Sequence, residues 1–122
     1  MKQRELKFRI WDDILKIMYT PEMDEKYKNL WEIPAIEGGV LKVRDKIMVM
    51  QYTGLKDRNG KEVYVGDILQ TENEKYTVAW SDDFCSFGLR ITKRSGKWKS
   101  LRWIIKKEFE VIGNLYQNPE LL

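Results

Sequence analysis

The chain contains no histidine. That absence excludes Ser-His-Asp and Cys-His catalysis, histidine-held zinc, and a histidine proton shuttle near neutral pH. Cysteine is limited to Cys85. A lone cysteine makes no intramolecular disulfide, which fits a reducing cytosol. Long hydrophobic runs are also missing: the longest are four residues, as in Ile47-Met48-Val49-Met50, whereas a helix needs about 20 to cross a bilayer. The opening Met-Lys-Gln-Arg-Glu-Leu-Lys is charged with no apolar stretch behind it, so no secretory signal is expected.

What is present is the balance of a soluble globular protein. The 122 residues are 43% apolar and 34% charged, which suits a single folded unit rather than a disordered chain. Five Trp, six Tyr and four Phe are enough for a dense core. The net charge of +3 says little about partners, but its placement says more. Lys93 to Lys107 holds seven cations and no acid, while the rest of the chain carries fifteen cations against nineteen acids. Between Asp12 and Glu37 stand seven acids and three lysines.

The dominant period is two, the mark of strands. Leu6, Phe8 and Ile10 alternate with Lys7 and Arg9, which predicts an edge or half-buried strand with its polar face in water. Asp12-Asp13 break it, and a return strand over about 15–19 ends at Thr20-Pro21. Residues 22–30 suit a short helix with Met23, Tyr27 and Leu30 on one face. Strands are expected at 40–43 and 46–52, the second apolar on both faces and therefore central. Asn59-Gly60 is the strongest turn signal. Gly66 allows a bend, and Asp67 is placed to accept backbone hydrogen bonds. Four further strands are expected at about 76–80, 87–92, 101–104 and 109–112, with a Ser95-Gly96 turn between the second and third. Asn118-Pro119 reads as the cap and first position of a terminal helical turn. No internal repeat or linker is visible. Evenly spaced short strands with glycine turns indicate a small barrel or sandwich.

Three motifs, in order, resemble the YopX family of phage and prophage proteins: Lys7-Phe8-Arg9-Ile10-Trp11-Asp12, the segment from Gln51 to Ile68 containing Thr53-Gly54-Leu55-Lys56-Asp57-Arg58-Asn59-Gly60, and Val111-Ile112-Gly113-Asn114-Leu115-Tyr116 running on to Leu122. The resemblance covers essentially the whole chain. It implies a small, mainly β protein with an SH3-like barrel in its C-terminal part, phage or prophage origin, and self-association in some members. It brings no catalytic residue and no cofactor. The fold expectation is a strand-rich part over 1–60, an SH3-like barrel over 61–122, and one or two short helices. Gly54, Asn59, Gly60, Gly66 and Asp67 are assigned to backbone geometry.

Four constellations bear on function. The basic hairpin offers Arg90, Lys93, Arg94, Lys97, Trp98, Lys99 and Arg102: an aromatic between cations can stack a base while the cations hold phosphates. Against this stands the plainer reading, Trp98 packed inward and lysines solvated. Asp12-Asp13, Asp82-Asp83 and Asp67 could bind Mg²⁺ if brought together, as in a nuclease, but Asp at a strand end is ordinarily a turn residue. Cys85 has acids and phenylalanines beside it, which suits an inert, partly buried thiol. Ser-Lys catalysis has no supporting motif. Trp11, Tyr19, Tyr27, Leu30 and Trp31 either close a second core or form a subunit interface, and the acidic N-terminal part and basic hairpin give complementary charge between copies. The resulting expectation is a non-enzymatic, self-associating cytoplasmic protein of a bacterial host cell. Nucleic acid is the alternative partner. No cofactor, membrane partner or small-molecule substrate is expected.

Overall fold

The computed structural model describes residues 5–23, 35–38, 40–42, 45–91 and 97–122. The chain is mainly β. It divides into two compact units, Leu6–Gln51 and a unit built on Tyr52–Leu122, with the boundary inside one long strand rather than near residue 60.

In the first unit, β1 (Phe8–Asp12) pairs antiparallel with β2 (Ile17–Tyr19) on one side and, on the other, with the first half of β5 (Ile47–Lys56). The short β3 (Ala35–Glu37) and β4 (Val40–Lys42) form their own hairpin. Ile10, Tyr19 and Ile47 are buried together, with Ile17 and Val49 against them. β1 is thus a central strand, not an edge, and Arg9 is buried opposite Met50 instead of facing water. Alternation predicts which residues share a face but not whether a second face is also covered. The β1–β2 loop is made by Asp12, whose Oδ1 accepts from the backbone N of Ile14 at 2.9 Å and Leu15 at 3.0 Å. Pro21–Met23 form a 3₁₀ turn after β2. The helix expected over 22–30 lies, beyond Met23, outside the described residues.

The second unit is framed by a five-stranded antiparallel sheet in the order β10-β9-β8-β7-β11. These strands are Trp98–Ser100, Ser86–Ile91, Lys75–Ser81, Asp67–Gln70 and Glu110–Asn114. The end of β5 pairs with β6 (Glu62–Tyr64). The core gathers Val63, Leu69, Tyr76, Val78, Leu89, Ile104, Phe109 and Val111. Leu89 is fully buried, and truncating such a side chain to Ala costs about 2–5 kcal/mol.

The strand expected at 101–104 is instead a one-turn helix, α1 (Leu101–Ile105). Ser100 is its N-cap, accepting from the Arg102 backbone N at 3.2 Å. Leu101 and Ile104, one turn apart, face the core while Ile105 stays exposed. The signal was the serine: a hydroxyl before an apolar run offers the backbone a helical start.

The long central motif proves to be a scaffold of carboxylates and backbone amides. Asp57 is buried and accepts from the backbone N of Asn59 at 2.9 Å, Lys61 at 2.8 Å and, 54 positions on, Val111 at 2.9 Å. Burial by itself would raise its pKa, but the bonds from Val111, Lys61 and Asn59 hold the carboxyl below the ordinary aspartate value. Asp67 Oδ2 accepts from Tyr64 N at 2.8 Å, as expected. Gly66 takes φ +95°, and its N–H and C=O bond to Val78 and Leu115. At Asn59-Gly60 only the glycine has positive φ, +81°. At the C-terminus Pro119–Leu121 form the expected turn, but the Asn118 side chain accepts from Asn114 N rather than capping it.

Candidate functional site

Alternation decides what the basic hairpin can present. Trp98 pairs with Arg90 across β9–β10, so the two share one face of the sheet, with Gly88 next along it. Lys99 pairs with Leu89 and so lies on the opposite, core face. There its ammonium sits over the Trp103 ring, 3.8 Å from the centroid. In a strand the neighbours of an outward residue point inward, so Lys-Trp-Lys in sequence is not a tryptophan between two lysines in space.

The company of Trp98 comes from elsewhere. The Arg90 guanidinium stands 5.9 Å from its ring centroid. Phe84, from the β8–β9 loop, stacks on it at 6.2 Å with the planes 15° apart. Gly88 makes this possible: a Cβ there would fall inside the indole. Trp98 is half-buried and Phe84 is 65% exposed, whereas Trp80, edge-on to Phe87 at 5.1 Å and 47% exposed, shares the face of Val78 and Leu89 and so lies on the other side of the sheet. The result is an aromatic surface with Arg90 on it and the exposed carboxylates of Asp82 and Asp83 beside Phe84 in the loop. Phe84 was missed by sequence reading, because nothing local marks which aromatic a turn will hold in water.

Of the other candidates, Lys97 and Arg102 are exposed, and Lys93 and Arg94 lie outside the described residues. Trp11 and Tyr19 are buried in the first unit, 3% and 5% exposed, which favours core closure over an interface for these two. Tyr27, Leu30 and Trp31 lie outside the described residues. Asp12-Asp13 and Asp82-Asp83 occupy two hairpin loops, and Asp67 is committed to Tyr64 N. Among the described residues no group of three acidic or sulfur side chains is placed to hold a metal ion. Cys85 is exposed rather than partly buried, with Sγ 3.4 Å from the Asp82 carbonyl. Among the described residues no helix is long and apolar enough to cross a membrane.

The model of the family described as YopX protein matches residues 7–122. The chain belongs to the YopX family. This YopX-family chain is also similar to a crystal structure of protein EF1440 from Enterococcus faecalis, at 26% identity and a TM-score of 0.59, over 98% of this chain and 99% of that one. Among curated protein sequences none matches. The aromatic surface and the scaffold motif are therefore what this YopX-family chain itself offers as evidence of function.

Proposed function

We propose that this YopX-family protein works by binding rather than by catalysis, and that it self-associates through the Phe84–Trp98–Arg90 surface. The observation that carries this is the exposure of Phe84, stacked on a half-buried Trp98 that also meets Arg90. Solvent-facing aromatics clustered with arginine are the composition of an interface centre. The charges favour a second copy as the partner. Arg90 lies on the patch and Asp82-Asp83 beside it, so a two-fold axis through the aromatics would bring each sign against its opposite. Phage or prophage origin, action in the bacterial cytoplasm and an SH3-like barrel for the second unit belong to the same proposal.

The test is sedimentation or light scattering across micromolar to submillimolar concentrations, for the native chain and for Phe84→Lys. A concentration-dependent dimer that the substitution abolishes supports the reading. A monomer throughout overturns it.

The basic run favours a second reading, single-stranded nucleic acid, supported by the exposed cations Lys97, Arg102 and Lys106. Its signature is oligonucleotide binding that weakens steeply with added salt. Absence of binding at low salt ends it.

A further inference from the structure

A groove of about 740 Å³ lies in the second unit, away from the aromatic surface. Ligand sites span about 300–1,000 Å³. Its walls are the β7–β8 turn and the segment from Trp103 to Glu110. Tyr76, Trp103 and Phe109 supply aromatic surface. Tyr76 is 97% buried, being 3% exposed, yet its hydroxyl has no hydrogen-bond partner among the described residues. The hydroxyl oxygen is not itself sealed from solvent, so it opens onto the groove, where a ligand can bond it. Burial, and then the charge of Glu74, raise the Tyr76 pKa, so the phenol stays protonated.

The charges on the groove select the sign of that ligand. Four glutamates face Arg58 and Lys107. Arg58 is engaged with Glu108 at 3.9 Å. The Lys107 ammonium rests on the Trp103 ring, 4.5 Å from the centroid. Glu72, Glu74 and Glu110 make no ion pair among the described residues. These carboxylates do not converge closely enough to hold a metal ion, so a compact divalent cation does not match them, whereas an extended cation with separated charges does. The ring already shows that it accepts an ammonium, since Lys107 is seated on it.

We propose that this groove binds an organic cation carrying primary ammonium or guanidinium groups. One charged group displaces Lys107 from Trp103. The others pair with Glu74 and Glu110, and the ligand bonds the Tyr76 hydroxyl. The source is either a free polyamine or a basic side chain of a short peptide, and the experiment separates the two.

The test titrates the full chain with spermidine, with a lysine- and arginine-containing tetrapeptide, and with a glutamate tetrapeptide, by calorimetry and by the Trp103 indole N–H resonance. The expected result is binding of at least one basic probe with a shift of the Trp103 signal, and none of the acidic peptide. Which basic probe binds tells free amine from side chain. Tyr76→Phe should weaken that binding by about fivefold while leaving the melting temperature nearly unchanged, because the hydroxyl makes no bond to another described residue. Glu74→Gln should also weaken it. Absence of binding of either basic probe at millimolar concentration, equal binding of the acidic peptide, or a Tyr76→Phe protein that binds as well as the native one overturns the proposal.

Discussion

The indole Nε1 of Trp80 donates to Asp82 Oδ1 at 3.1 Å, and the same bond recurs in the other unit, from Trp11 to Asp13 at 3.2 Å. The likeness extends through both loops. Ser81 Oγ accepts from Phe84 N as Asp12 Oδ1 accepts from Leu15 N. The fourth loop residue is left-handed in each, Cys85 at φ +49° and Lys16 at φ +58°. Both tips hold an apolar side chain in water, Phe84 and Leu15. The chain therefore repeats one hairpin loop without a repeat that its sequence displays. A left-handed conformation costs a non-glycine residue about 1–2 kcal/mol, and glycine gives back part of that gain as chain entropy. Cys85→Gly should then raise stability by about 0.5–1 kcal/mol, read as a higher denaturation midpoint. A lowered midpoint would count against the loop geometry.

The fit of Trp98 over Gly88 leaves no room for a methyl group. Gly88→Ala should cost about 1–3 kcal/mol through overpacking and should expel the indole from its seat. Thermal melting together with tryptophan emission checks both. An unchanged melt with unchanged emission would show that the ring is not held there.

Asp57 ties the Asn59-Gly60 turn to β11 through Val111. Its folded pKa lies below the unfolded value of about 3.9. The carboxylate is thus fully stabilising above that value, and its contribution falls away as pH drops through the folded pKa. Asp57→Asn places an amide donor against one of three backbone N–H donors, a loss of about 1–3 kcal/mol. Urea titrations at neutral pH and at pH near 3 should show the native chain losing stability at the lower pH, with the variant losing less. Equal acid sensitivity in both would remove Asp57 as a cause.

Cys85 is an exposed thiol on a hairpin loop. A disulfide-exchange reagent should therefore modify one thiol per folded chain without denaturant. Modification only after unfolding would contradict its position.

Much of the strand layout was legible locally. Alternation marked β8 and β9, Asp12-Asp13 and Pro21 bounded β2, and Gly66 with Asp67 announced their own geometry, because these choices depend on a residue and its near neighbours. The helix at Leu101 was legible only through Ser100, since three apolar residues in a row fit either period. The candidate surface was less readable. Lys97-Trp98-Lys99 suggests one cluster, but the pleat sends Lys99 to Trp103, and Phe84 arrives from a loop that is distant in sequence.

What the amino-acid order determined by itself is the chemistry withheld and the punctuation of the strands: no imidazole anywhere, one thiol, turns at Asp and Gly, extended segments between. The tertiary structure alone decided that Arg9 would be buried, that Asp57 would reach Val111, that the Tyr76 hydroxyl would be left open to a groove, and that Trp98 would lie on Gly88 under Phe84. The physical reason is one of range. Backbone preference and side-chain period act over a few residues, whereas burial and partnership depend on which distant strand is laid alongside.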